Sequence, residues 1–121
     1  LGNTIFHGNT NPKDAFPMID MHMLLVTSLG TWGRVINEAG IFKIPTLSID
    51  IGSQKEAVGN GGVIVENDAN LNEITDKLKL LYEKRIFFGE SAQNHAKIVD
   101  HRKAIAELRT IIHKIKDNIH E

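Results

Sequence analysis

The run at residues 22–26 (HMLLV) constrains the fold more than any other part of this sequence. It has the length of a strand, and it lacks the polar alternation of a strand that faces water on one side. Both of its faces are therefore predicted to be buried, as in a parallel sheet. Residues 45–50 and 63–65 predict further strands, and residues 4–7 predict a brief one before them.

Short helical patterns separate these runs. Gly33 is expected to open a helix over 34–39, with Gly40 at a left-handed C-cap. Ser53 and Glu56 have the spacing of a capping box, which predicts another helix start.

After residue 70 the apolar period becomes helical. Asn70 begins a helix with Ile74, Leu78 and Leu81 on one face, and another helix is predicted over 85–99. A last helix, from about residue 100, has one apolar stripe, made by Ile105, Leu108, Ile112, Ile115 and Ile119. Strands that alternate with helices predict an α/β fold with a Rossmann-like parallel sheet, over 1–69, followed by terminal helices over 70–121.

Composition excludes several classes of function. The net charge of −1 leaves no broad basic surface for nucleic acid, and the absence of cysteine excludes disulfides and thiolate metal sites. No apolar run approaches the roughly 20 residues that span a bilayer, and no signal peptide is visible at Leu1. The chain lacks an initiator Met, and we expect it to be part of a longer protein.

The stretch 26–40 (VTSLGTWGRVINEAG) carries the functional signal. It predicts a buried strand that ends, a loop with Gly30, and a helix that begins after Gly33. In open α/β sheets ligands bind beyond the carboxyl ends of the strands, and a helix N-terminus offers free N–H groups to an anion. The carboxylate of Glu38, one turn into the helix, could accept hydrogen bonds from the two hydroxyls of a ribose. A turn that serves packing alone is the alternative on these grounds.

From residue 20 to residue 83 the sequence resembles the large retaining glycosyltransferase family, family 4, of the GT-B fold. The resemblance is carried by matches in order and spacing: Trp32-Gly33, Glu38-Ala39, Ile44-Pro45-Thr46-Leu47, Ile51-Gly52-Ser53-Gln54-Lys55-Glu56, and Gly62-Val63-Ile64-Val65. It implies that this chain is the C-terminal, donor-binding half of an enzyme that transfers a sugar from a nucleotide diphosphate to a glycan or glycolipid acceptor.

The resemblance also assigns residues. Glu38 would bind the donor ribose, and the loop amides of Thr31, Trp32, Gly33 and Arg34 would approach the sugar and the diphosphate. No metal or other cofactor is expected, because the helix terminus stabilises the leaving diphosphate. The acceptor side and the upstream basic residues would lie in an N-terminal domain, so these residues alone are expected to be inactive. A cytoplasmic location is expected, with peripheral membrane association of the whole protein left open.

Gly30 departs from the family pattern. The family has a first Glu eight positions before the second, and here that position is Gly30. A different donor sugar, a weakened activity, or a replacement contact from Thr31 or Ser28 would each fit. Two alternatives therefore stay open: a nucleotide-sugar epimerase of the same architecture, and a non-catalytic binding module.

For the other polar residues the sequence gives weaker evidence of a functional role. The histidines of the C-terminal helices, including His95 and His113, lack the i, i+4 spacing of a helical zinc site. His7 and Asp50 follow strands and could face a ligand or only the surface, and Glu56 could face the site or only cap its helix. Phe87 and Phe88 are both expected in the core. The apolar stripe of the last helix predicts that the isolated chain self-associates.

Overall fold

A computed structural model describes residues 2–25 and 33–120. The described chain folds into short strands and helices in alternation, followed by three longer helices. The elements in chain order are α1 (Pro12–Ala15), a 3₁₀ turn (Phe16–Met18), β1 (His22–Leu24), α2 (Arg34–Ile41), β2 (Thr46–Ile49), α3 (Gln54–Val58), β3 (Gly62–Val65), α4 (Leu71–Glu83), α5 (Arg85–Ile98) and α6 (His101–His120).

The three described strands form one parallel sheet in the order β1-β2-β3. In its register, Leu47 of the central strand lies between Met23 of β1 and Val63 of β3. All four residues of β2 are buried, as expected of a strand with neighbours on both edges and helices on both faces. The predicted α/β class with a parallel sheet is confirmed.

The two faces of the sheet pack against different helices. Leu47, Ile49, Val63 and Val65 point to the face that α4 covers, and Leu81 completes that cluster. The predicted helical stripe of Ile74, Leu78 and Leu81 is confirmed, because all three residues belong to this cluster or pack on it. On the opposite face α2 and α3 meet, and Ile36, Ala57 and Val58 form the buried cluster between them.

Helix α2 packs closely against α5 through Gly40. A Cβ at Gly40 would lie 2.8 Å from the carbonyl oxygen of Ala92, so no side chain fits between the helices. The prediction of a left-handed C-cap at Gly40 is wrong. The helix continues to Ile41, and the left-handed residue is Lys43, with φ 60°.

Three predictions for apolar segments are also wrong. Residues 4–7 form no strand, and Phe6 is 88% exposed, because no described strand lies alongside them. β1 ends at Leu24 and is only partly buried, since it lies at an edge of the described sheet. Phe87 is 64% exposed, whereas Phe88 packs on the core, and their rings meet edge-on with centroids 5.6 Å apart.

Helix α6 extends away from the described core. The side chains of its apolar stripe are 42–73% exposed, so the described residues leave much of the stripe uncovered. Among the described residues no helix is long and apolar enough to cross a membrane.

Candidate functional site

The site is built around the N-terminus of α2. Gly33 is the N-cap residue, and it has no side chain to satisfy the first N–H groups of the helix. No acidic residue lies in the first turn, so the positive end of the helix dipole is not neutralised from within the helix. Arg34, the first helical residue, is exposed and adds a positive charge. The predicted residues Gly30, Thr31 and Trp32 lie outside the described residues.

Gln54 lies against this helix terminus. Its side chain is only 5% exposed, and a Cβ built on Gly33 would lie 2.5 Å from Gln54 Oε1. Within residues 2–25 and 33–120, this oxygen is the one buried side-chain polar atom without a hydrogen-bond partner. The first residue of α3 and the N-cap of α2 therefore touch at the carboxyl edge of the sheet.

A groove of about 460 Å³ runs along the outer side of α2. One wall comes from α2, through Arg34, Asn37, Glu38 and Ile41. The other comes from the end of α5 and the start of α6 and is made by Gln93, Ala96, Lys97, Val99, Asp100 and Arg102. The volume lies in the range of small-molecule sites.

Glu38 is half-buried in the wall of this groove. Its carboxylate makes no salt bridge within the described part of the chain, where the one ion pair joins Arg102 and Asp100 at 3.4 Å. Asp100 also accepts a hydrogen bond from the backbone N–H of Arg102, and this bond lowers the pKa of its carboxyl group. The cationic side chains of Arg34 and Lys97 therefore line the same groove as Glu38, whose carboxylate has no ion-pair partner among the described residues.

The short helix α3 is positioned by side chains of its two neighbours. Asn37 Nδ2 on α2 donates to the carbonyl oxygen of Ala57 at 2.9 Å. His95 Nε2 on α5 donates to the carbonyl oxygen of Glu56 at 2.8 Å, and its ring lies over Gly59, whose φ is +54°. His95 therefore has a structural contact, with Nε2 protonated because a carbonyl only accepts.

His22 forms a second polar contact inside the fold. Its Nδ1 lies 3.1 Å from Thr46 Oγ1, and its ring meets that of Phe16 edge-on at 6.1 Å. Burial lowers the pKa of His22 below its ordinary value of 6.5. The neutral imidazole is therefore the form that this site favours.

The remaining candidates lie apart from the groove. His7 is exposed, and its carbonyl oxygen accepts from Thr10 Oγ1; Asp50 is exposed at the end of β2. Ser53 does precede α3 as predicted, but its side chain makes no capping bond, so the predicted capping box with Glu56 is not formed. Asn70 does cap α4, since its Oδ1 accepts from the N–H of Glu73 at 2.9 Å.

Side chains that could bind a metal do not converge either. No group of three or more His, Cys, Asp or Glu residues in the described ranges is arranged to bind one.

The sequence reasoning missed three residues of this region: Gln54, Asn37 and His22. In the sequence Gln54 is one position of the matched segment 51–56, and nothing there gives it a role of its own. No local pattern indicates that its amide is buried against Gly33, because that contact joins elements 21 residues apart. Arg34 and Glu38, in contrast, lie where the sequence predicts, on one side of the first turns of α2.

Comparisons with known proteins support the fold. No protein-family model matches the chain, and no curated protein matches it by sequence. Among solved structures, sucrose-phosphate synthase from Thermosynechococcus elongatus superposes with a TM-score of 0.63 over 80% of this chain, at 16% identity. TarM superposes with a TM-score of 0.66 over 84% of this chain, at 24% identity.

Both of these structures are glycosyltransferases of the GT-B type. The chain therefore has a glycosyltransferase-like α/β fold, consistent with half of a GT-B fold. It spans 26% of the length of sucrose-phosphate synthase and 21% of that of TarM.

Proposed function

We propose that this chain is the donor-binding part of a retaining glycosyltransferase, which transfers a sugar from a nucleotide diphosphate to a saccharide or lipid-linked acceptor. The observation that carries the proposal is the arrangement at α2. Its N-terminus lacks a capping side chain, and the groove beside it contains the half-buried Glu38. The glycosyltransferase-like fold supports the same interpretation.

The diphosphate of the donor would bind at the N-terminus of α2. Unpaired N–H groups and the helix dipole favour an anion there, and the Arg34 side chain adds a charge. Negative charge grows on the diphosphate as the sugar leaves, so the same groups would stabilise the transition state more than the ground state. This role requires no metal ion.

The nucleoside would extend from that point into the groove. Glu38 lies one turn along the helix from Arg34, and both residues line the groove. A carboxylate without an ion-pair partner is well suited to accept hydrogen bonds from the 2′- and 3′-hydroxyls of a ribose. Gly30, Thr31 and Trp32 are proposed to approach the sugar and the diphosphate, as the family resemblance implies.

This chain would form one side of the catalytic cleft, and a preceding domain would form the other. The acceptor would bind a preceding domain, which would also contribute basic groups for the diphosphate and any association with the inner face of a membrane. We expect no transfer by the 121-residue chain alone. The whole protein is proposed to act in the cytoplasm.

The test is a nucleotide titration that uses the fluorescence of Trp32, the only tryptophan of the chain. UDP, GDP and ADP are added to the wild-type chain and to Glu38→Ala. A saturable change with one nucleotide, with a dissociation constant on the order of millimolar, is expected for half of a site. Its loss in Glu38→Ala would support the proposal. No response to any nucleotide, from a chain that circular dichroism shows to be folded, would refute it.

A non-catalytic binding module of the same fold is the second candidate, favoured by Gly30 where the family has Glu. Transfer assays on the full-length protein and on its Gly30→Glu variant separate the two. A catalytic protein with altered specificity transfers a sugar before the substitution and changes its donor preference after it, whereas a module that lost its chemistry is inactive before the substitution.

A further inference from the structure

The amide oxygen of Gln54 is buried without a hydrogen-bond partner among the residues that the structure describes. Its Oε1 is inaccessible to water and accepts no hydrogen bond within the described residues, although the side chain is only 5% exposed. A buried polar atom without a partner costs free energy that an apolar side chain of the same shape would not. The position is therefore unfavourable for the fold taken alone, and a ligand would explain it.

The surroundings of Gln54 indicate what kind of ligand. Oε1 lies against the Cα side of Gly33, at the uncapped N-terminus of α2. Without a ligand, the negative end of the amide dipole is favoured at the positive end of a helix. An anion bound at that terminus would interact with the helix dipole in place of Gln54 Oε1. The anion and this oxygen would repel each other, because both carry negative charge.

A rotation of the amide resolves the conflict. The last torsion of a glutamine side chain is broad and close to two-fold, so its oxygen and nitrogen can exchange places at small cost. In the rotated form the Nε2 group faces the helix terminus and can donate to an anionic oxygen. A hydrogen bond to a charged group is stronger than one between neutral groups.

We propose that Gln54 is a binding residue for the diphosphate at the N-terminus of α2, donating from Nε2 to a phosphate oxygen after its amide rotates. This inference rests on the proposed function, since it assumes that the anion at this terminus belongs to a nucleotide-sugar donor. It adds a contact from α3 to the contacts that the N-terminus of α2 would make.

Two isosteric substitutions test the proposal. Gln54→Glu keeps the shape but replaces the donor by a negative charge, so it should abolish anion binding. Gln54→Met keeps the length and removes hydrogen bonding, so it should weaken binding roughly tenfold. Because Met also removes the unpaired oxygen, its thermal midpoint should equal or exceed that of the wild type. Asn72→Asp, an exposed position on α4, controls for the added charge.

The measurement is a titration of the ¹⁵N-labelled chain with inorganic pyrophosphate, followed by NMR. In the wild type, the backbone N–H signals of Arg34 and Val35 and the side-chain NH₂ signals of Gln54 should shift together along one saturation curve. A purely structural glutamine would leave its NH₂ signals unmoved. Asn72→Asp should bind pyrophosphate as the wild type does.

The outcomes distinguish the two proposals. If Arg34 and Val35 respond but Gln54 does not, and Gln54→Met binds equally well, the role of Gln54 is overturned while the anion site stands. If nothing responds, the anion site and the role of Gln54 both fall. If pyrophosphate binds through Gln54 but no nucleoside diphosphate binds more tightly than pyrophosphate, the contact stands and the donor-site function falls.

Discussion

Gly33, the N-cap of α2, and Gln54, the first residue of α3, lie so close together that any side chain at position 33 would overlap that of Gln54. A Cβ at position 33 would lie 2.5 Å from Gln54 Oε1 and 2.9 Å from Ile36 Cδ1. Because Gln54 is buried, its amide cannot simply swing into water. Gly33 is therefore required by packing.

We expect Gly33→Ala to destabilise the fold by about 1–3 kcal/mol, the usual cost of overpacking. The double variant Gly33→Ala with Gln54→Ala should show less destabilisation than the sum of the single variants, because the clash is removed. Urea denaturation of the four proteins gives this coupling. Additive effects would show that the two side chains do not compete for the same space.

The substitution Gly40→Ala should destabilise the fold, although alanine in place of glycine inside a helix usually stabilises it. In a helix interior, Ala is normally favoured over Gly by roughly 1 kcal/mol. Here the added Cβ would lie 2.8 Å from the backbone oxygen of Ala92, which cannot move without shifting α5. We expect a lower thermal midpoint, whereas Asn94→Ala at an exposed position of α5 should leave it unchanged or raise it slightly. A higher midpoint for Gly40→Ala would contradict the close packing of α2 and α5.

The role of Glu38 in binding ribose predicts a preference between sugars. The wild-type chain should bind the ribonucleoside diphosphate more tightly than its 2′-deoxy analogue, roughly tenfold for a hydrogen bond to a charged group. Glu38→Ala should weaken the ribonucleotide and bind both ligands alike. Isothermal titration with each pair measures the ratio. An unchanged ratio in Glu38→Ala would place the ribose elsewhere.

The burial of His22 predicts a pH dependence of stability. Since its pKa is below 6.5 in the folded chain, the unfolded chain binds more protons between the two values. Stability should therefore fall as the pH drops below about 6.5, and the contribution of His22 should level off once the folded pKa is passed.

In His22→Asn, which retains a partner for Thr46 Oγ1, the fall should be smaller than in the wild type. His113→Asn, on the exposed part of α6, should follow the wild-type curve. Urea midpoints measured between pH 5 and 8 test this, and parallel curves for the wild type and His22→Asn would disprove the assignment.

The exposed stripe of α6 predicts that the isolated chain self-associates. Ile112 and Ile115 are 42% and 52% exposed, and exposed apolar surface of this extent favours association. Light scattering should show a mass that rises with concentration. Ile112→Asp with Ile115→Asp should restore a monomer, whereas Thr110→Asp, on the opposite side of the helix, should not. A wild-type chain that stays monomeric over a wide concentration range would count against this expectation.

The sequence predicts the elements better than it predicts their ends and contacts. Thr46–Ile49 is found as a strand because all four of its residues are buried and none is charged. Gly62–Val65 is found because a short run of branched apolar residues follows a glycine turn, although only Val63 and Val65 are buried. The capping signal of Asn70 is local and is therefore legible in the sequence. Gly40 was misassigned because a glycine near a helix end suits a C-cap and a close helix contact equally well, and only the position of Ala92 decides.

In the candidate site too, positions within one segment are predictable from the sequence, whereas contacts between segments are not. Gly33, Arg34 and Glu38 belong to one continuous stretch, so their spacing determines their relative placement on α2. Gln54 reaches the site from another helix, and its role depends on a tertiary contact that no single segment encodes. His22 likewise acquires its lowered pKa from burial beside Phe16, which comes from the preceding turn.

The attachment of α3 has a consequence for how this site can evolve. Both side chains that hold this five-residue helix, Asn37 and His95, bind carbonyl groups near its C-terminal end. The opposite end, with Gln54, follows β2 through residues 50–53, where the N–H of Asp50 donates to the carbonyl oxygen of Val65 and Ile51 packs on the core. Exchanges of exposed side chains on α3, such as Lys55, would therefore alter the surface presented to a ligand while the helix stays in place. Such an arrangement would let the recognition surface change without loss of the fold.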